Sequence, residues 1–202
     1  MVKRVFCIGN GESRIGFDLE KLRKHGTIYG CNALYRDFMP DVIVAVDYGI
    51  MHEIYHADVA QKIPCYFRDW TKVPAMTYEP MLYGGMSKLE ADEHIKDIVV
   101  SNDRGDSKEY VMHGANLQGI VTMIKKNGDK YKKNVNNSQI KVSWITENDK
   151  SNSLTDIMGG KDHGWSSGAS SAYVSISREQ PDEVYLIGHD IYSTNDKVNN
   201  VY

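Results

Sequence analysis

The chain has 202 residues, of which 41% are apolar and 25% charged, a balance that excludes wholesale disorder. Its 24 basic and 27 acidic side chains give a net charge of −3, which disfavours a generally basic nucleic-acid binder. No apolar run reaches the ~18–20 residues that span a bilayer, and Met1-Val2-Lys3-Arg4 leads straight into a strand-like run with no signal-peptide core. The expected address is therefore the cytoplasm. The length suits one domain, or one domain with a sizeable insertion. Lysines outnumber arginines 17 to 7, a bias associated with AT-rich coding sequence such as that of phages or marine bacteria.

Three cysteines, Cys7, Cys31 and Cys65, lie in apolar runs with no CxxC spacing. They read as buried free thiols rather than a disulfide framework or zinc site.

The first strand is expected over Lys3–Ile8, closing in Gly9-Asn10-Gly11. A short helix follows from about Asp18 to Lys24, with Asp18 as N-cap and Gly26 after its end. Thr27–Asn32 is a second strand. Asp41–Asp47 is almost continuously apolar, the pattern of a strand buried on both faces. A helical stretch from Ile50 to Lys62 and a short strand Cys65–Arg68 complete an alternation that predicts crossover units and a mainly parallel sheet.

Residues 69–114 carry Pro74, Pro80 and Gly84-Gly85 and read as an insertion or lid. Within it, Ser87-Lys88-Leu89-Glu90 has capping-box form. Leu117, Ile120, Val121 and Ile124 recur at helical spacing, Asp129–Gln139 reads as a solvated loop, and Ile140, Val142 and Trp144 alternate as in a strand. The last unit begins at Gly164-Trp165-Ser166-Ser167-Gly168. A helical stripe of Ala169, Ala172, Tyr173 and Ile176 runs to Pro181, and a buried strand is expected at Val184–Ile187 before Gly188-His189-Asp190-Ile191-Tyr192.

In an open parallel α/β sheet, ligands bind outside the carboxyl ends of the strands. Gly9–Ser13, Gly30–Asn32, Asp47–Tyr48 and Gly188–Tyr192 all fall at such ends, and the Ser166–Gly168 helix start lies on the same side. Gly9, Gly11 and Ser13 permit a tight turn whose amides could hold phosphate, although Gly-Asn-Gly is also ordinary turn chemistry. Asn10 and Asn32 can meet a phosphate, sugar or base edge. Ser167 and Gly168 open a helix whose free amides favour an anion, against simple serine capping. Asp47 reads mainly as a cap; for Asp190, capping and binding of a sugar hydroxyl or magnesium weigh equally. No HExxH or three-histidine spacing points to a metal, and His52 and His56 read as an ordinary i, i+4 pair. His163 and His189 lie in the right turns for a general base, against a merely structural role, which is the weightier reading for each. Tyr66, Tyr78, Tyr83 and Tyr110 read as packing under a lid, with base stacking as the other option.

The Gly9-Asn10-Gly11-Glu12-Ser13 turn, the Gly30-Cys31-Asn32-Ala33-Leu34-Tyr35 segment, the Ser166-Ser167-Gly168 helix start and the strand ending Gly188-His189-Asp190-Ile191-Tyr192 resemble, in order and spacing, bacterial sialyltransferases of the Campylobacter type. The same core is similar to the motility-accessory-factor and hydroxymethylpterin pyrophosphokinase-like group. The resemblance covers residues 3–48 and 164–192.

It implies a Rossmann-like open, mostly parallel α/β sheet with helices on both faces and a lid-like insertion. It implies a nucleotide- or nucleotide-sugar-binding transferase with no covalently bound cofactor and with magnesium as an option. Asn10, Asn32, Ser167 and Gly168 would be nucleotide contacts, with Asp190 at the same end. Glu12 departs from the family's proline and places negative charge beside the first turn. The family's catalytic histidine lies beyond the Gly-x-Asp-x-Tyr motif, where this sequence has none, leaving His163, His189 and Asp190 as catalytic candidates. A non-catalytic nucleotide-binding module and a magnesium-dependent pyrophosphokinase-like enzyme are the alternatives. The expected partners are a small-molecule nucleotide donor and an acceptor, with self-association open and neither nucleic acid nor a membrane span.

Overall fold

The computed structural model describes residues 2–68, 70–74, 97–102, 109–111, 119–125, 130–135, 140–145, 148–161 and 163–190. The chain divides into two compact units, one built from residues 1–68 and 150–202 and the other from Asp69–Asp149.

The first unit is an open six-stranded sheet. Its strands are β1 (Arg4–Ile8), β2 (Thr27–Cys31), β3 (Val42–Ala45), β4 (Cys65–Phe67), β11 (Ser151–Ser153) and β12 (Glu183–Ile187). Their order is β11-β4-β3-β2-β1-β12, and every neighbouring pair is parallel. This is the Rossmann-like α/β architecture. The order reverses between β1 and β12, so the topological switch point, where such folds leave a crevice, lies between those two strands.

Alternation along each strand sorts side chains onto two faces. Val5, Cys7, Tyr29, Val44 and Tyr66 point to one layer of core, which is closed by Val174, Leu154 and Met158 from the helical side. The helices concerned are α3 (Leu154–Ile157) and α4 (Ser167–Glu179). Phe6, Ile8 and Ile28 point to the opposite layer with Leu19, Leu22, Leu34 and Phe38, which come from 3-10 helices and the loop after them. Ile8, Ile28 and Ile43 are fully buried, each stabilising the fold by about 1.5–3 kcal/mol. All three cysteines are free and buried.

Several elements differ from expectation. The segment after Asp18 is a 3-10 helix, Leu19–Leu22, with the Asp18 carboxylate accepting from the Glu20 amide at 3.2 Å. The stretch expected as one helix from Ile50 is two, α1 (Tyr48–His56) and α2 (Val59–Lys62), because Asp58 adopts a left-handed φ of 58°.

The buried face of α4 matches the expected stripe only in part: Ala172 and Tyr173 pack against the core half-buried, and Ala169 is exposed. Ser167, Ser170, Ser171, Val174 and Ser175 face inward, while Ile176 is exposed. The cause is steric: serine side chains let α4 lie close over the small Cys7, whose sulfur is 3.3 Å from Ser175 Oγ. β12 is an edge strand rather than a buried one, and Val184, Tyr185 and Leu186 are exposed.

The second unit holds two antiparallel sheets. One has the order β10-β6-β5, from Ile140–Trp144, Asp97–Asn102 and Thr71–Pro74. The other has the order β7-β8-β9, from Glu109–Val111, Gly119–Lys125 and Lys130–Val135. The helix expected around 117–124 is therefore strand β8: β-branched Ile120, Val121, Thr122 and Ile124 favour the pleated ladder over a helix despite their helical spacing. The loop expected over Asp129–Gln139 is largely strand β9, because pairing with β8 overrides its polar composition. This unit begins where the insertion was expected and runs on to Asp149. The Ser87 capping box, Tyr78 and Tyr83 lie outside the described residues.

Candidate functional site

A cleft of about 750 Å³ opens at the carboxyl ends of β1, β2, β3, β4 and β12, against the start of α4. Asn10, Asn32, Ser167, Gly168, His189 and Asp190 all line it, together with Gly9, Gly11 and Asp47. Of the candidate catalytic and ligand-contacting residues, His163 and Ser13 are not on its wall.

The floor depends on very close packing at the switch point. The Gly9 amide donates to the Ile187 carbonyl and the Gly11 amide to the Gly188 carbonyl, both at 2.8 Å. A Cβ on Gly9 would stand 2.3 Å from the Gly188 oxygen, so only glycine fits. Gly188 itself takes a φ of 69°.

Asp190 then folds back onto the first turn. Its carboxylate accepts from the Ser13 hydroxyl and from the Ser13 amide at 3.1 Å, and it lies against the bare Cα of Gly11. The Ser13 hydroxyl, then its amide, hold this carboxyl below the ordinary carboxylate range. The amides of Gly9, Gly11 and Ser13 are thus all occupied from within the chain. Of that turn, Asn10 is what faces the cleft: its Oδ1 is buried and has no hydrogen-bond partner among the described residues.

Asp47 behaves in the opposite way. It occupies the N-cap position of α1, yet its side chain makes no capping hydrogen bond, and its exposed carboxylate lines the cleft. Of the two options open for Asp190 the structure shows the capping one, whereas Asp47, expected mainly as a cap, makes no capping bond. Tertiary placement decides this, because β12 delivers Asp190 directly beside the Ser13 amide.

The opposite wall is the start of α4. Ser166 is the N-cap, its hydroxyl accepting from the Ala169 amide at 3.5 Å, and the Ser170 amide reaches the Ser166 carbonyl at 2.9 Å. The amides of Ser167 and Gly168 have no acceptor among the described residues, as expected for the first turn of a helix. They carry the positive end of a 13-residue helix. The Ser167 hydroxyl donates to Asn32 Oδ1 at 2.7 Å, which locks the asparagine amide and ties the end of β2 to α4. Asn32 holds a left-handed φ of 48°, a strained conformation of the kind that clusters at functional sites.

His189 fills the space between the two walls. Its ring atoms lie 3.0 Å from where a Gly9 Cβ would be and 3.1 Å from where a Gly168 Cβ would be. Burial pushes the imidazole below its ordinary value of 6.5, against smaller opposing effects of the Cys7 backbone and the Asp190 charge. It is therefore neutral near pH 7. Its Nε2 is buried without a hydrogen-bond partner among the described residues. His163, by contrast, is exposed and stacks on Trp165 with centroids 4.9 Å apart.

Two lining residues had no assigned role in the sequence reading. Arg68, just after β4, brings a guanidinium into the cleft and donates to the Trp165 carbonyl. Trp165 is 38% exposed at the rim and meets Tyr173 edge-on at 5.5 Å. The signal for Arg68 was its place, a cation immediately after a strand of the parallel sheet. The signal for Trp165 was an aromatic beside the helix start.

Tyr66 belongs to the core, and His52 is buried in α1 with its ring stacked 6.1 Å from that of His56. Among the described residues, no cluster of three or more His, Cys, Asp or Glu could hold a metal, and no helix is long and apolar enough to cross a membrane. Comparison with family models, with curated proteins and with solved structures finds no match to this chain.

Proposed function

We propose that this cleft binds a phosphorylated nucleotide or nucleotide sugar and that the protein is a transferase acting on it, sialyltransferase-like in the arrangement of its motifs. One observation carries the reading: polar groups from six separate segments converge on one crevice at the switch point, and its anion-accepting donors, the Ser167 and Gly168 amides, are left unclaimed by the fold. Arg68 adds a positive charge to the same cleft.

The anion is assigned to α4 rather than to the Gly9–Ser13 turn, whose Gly9, Gly11 and Ser13 amides serve Ile187, Gly188 and Asp190. Asn10 and Asn32 supply hydrogen bonds to sugar or base, and the Trp165 indole offers a ring for stacking. In a transfer step, helix-end amides and Arg68 would stabilise the charge that develops on a leaving phosphate. The neutral His189 is the base in best position, while the carboxylate of Asp190, held at low pKa, is poorly suited to accept a proton.

A non-catalytic nucleotide-binding module is the second reading. It is favoured by the packing of His189 between two glycines, with its Nε2 enclosed.

Saturation-transfer NMR against a panel of nucleotides and nucleotide sugars tests the first claim. Binding is expected, and it should be lost in Asn32→Ala and Arg68→Ala. Silence from every nucleotide at millimolar concentration removes the reading. Turnover with any donor separates the transferase from the binding module.

A further inference from the structure

We infer that the cleft accepts a ligand with a single anionic group and a hydroxyl- or amine-bearing remainder, and that Asp190 and Asp47 are the specificity residues that refuse a second phosphate. This deepens the reading of the cleft as a phosphate-ligand site and rests on it.

Among the described residues two carboxylates and one guanidinium line the cleft, so these side chains carry an excess of negative charge before any ligand enters. The donors are concentrated at one end: the Ser167 and Gly168 amides are free there, and Ser167 fixes Asn32 beside them. At the β1–β12 end the Gly9, Gly11 and Ser13 donors are already taken. The Gly9 and Gly11 amides bond to carbonyls, and the Ser13 amide and hydroxyl bond to Asp190.

Asp190 is also immobilised. It is packed on Gly11 where no Cβ intervenes, so it acts as a fixed charge rather than a side chain that swings aside. Asp47 makes no capping bond and presents a second acceptor. Carboxylates so placed repel a dianionic extension and accept hydrogen bonds from hydroxyl or ammonium groups. A diphosphate laid across the cleft would set its second phosphate against Asp190.

The test titrates the full-length protein with orthophosphate and with pyrophosphate by calorimetry, in the presence of a chelator. The wild type should bind orthophosphate more tightly. In Asp190→Asn the ratio of the two dissociation constants should move toward pyrophosphate by about threefold or more, the scale expected for one partly solvated charge. Asp47→Asn should move it in the same direction. It breaks no capping bond, so it carries the test even if Asp190→Asn fails to fold. Glu20→Gln, outside the cleft, should leave the ratio unchanged. The inference is overturned if the wild type prefers pyrophosphate, or if orthophosphate binds and neither aspartate variant shifts the ratio. If neither anion binds any of the proteins, the phosphate reading of the cleft falls and this inference falls with it.

Discussion

Replacing Gly9 with alanine tests the packing on which the cleft is built. The new methyl would stand 2.3 Å from the Gly188 carbonyl oxygen, 2.9 Å from its carbon and 3.0 Å from His189 Cδ2. The first two are backbone atoms, so no rotamer change relieves the clash. β1 and β12 must separate by about 1 Å to restore ordinary contact distances. That movement would break or badly stretch the Gly9–Ile187 and Gly11–Gly188 hydrogen bonds, both 2.8 Å. At about 1 kcal/mol for each bond, plus lost packing around His189, Gly9→Ala should cost roughly 2–4 kcal/mol. Gly49→Ala is the matched control. That glycine lies in the first turn of α1 with nothing within 4 Å of a Cβ, so alanine should be neutral or stabilise by up to about 1 kcal/mol. Urea unfolding followed by far-UV circular dichroism measures both. A Gly9→Ala protein within about 0.5 kcal/mol of wild type would refute the claim that the switch point is packed backbone against backbone.

Ser167→Ala should destabilise by about 1–2 kcal/mol, because Asn32 Oδ1 loses its 2.7 Å donor in a partly buried position; chemical denaturation reads this, and an unchanged midpoint contradicts it. The depressed pKa of His189 means that the unfolded chain takes up a proton more readily than the native one. Stability from this group is therefore full above pH 6.5, the ordinary value, and declines as pH falls below it. His189→Gln should flatten that part of a stability–pH profile, and a profile identical to wild type counts against the burial argument. Burial raises the Cys7 thiol and pushes that of Cys31 up to about 12. Neither should react with a thiol reagent at pH 8 until the protein unfolds, and rapid labelling of the native protein at either position would disprove this.

Much of the sheet was legible in the residue order. The runs at Arg4–Ile8, Thr27–Cys31 and Val42–Ala45 are apolar on both faces, and a strand covered on both faces must have that composition. Turns closing such strands must lie at one rim of a parallel sheet, which is why Asn10, Asn32, Ser167 and Asp190 could be grouped from sequence and are found lining one cleft. Local signals failed where long-range pairing set the state. Ile120, Val121 and Ile124 have helical spacing, but pairing with β9 and β7 makes them a strand. The face of α4 could not be read from hydropathy, because the sheet beneath it rewards closeness over apolar area and so buries serines.

The chemistry of the two aspartates shows the same division. Asp47 and Asp190 each follow a strand, and the residue order weighted Asp47 toward capping and left Asp190 evenly balanced. The parallel pairing of β1 with β12 brings Asp190 to the Ser13 amide and hydroxyl, whereas the Asp47 side chain makes no capping hydrogen bond. Residue order determined that a polar rim would exist. The three-dimensional pairing of strands distant in the chain decided which of its groups satisfy one another and which are left for a ligand, because a hydrogen bond depends on distance in space and not on position along the chain.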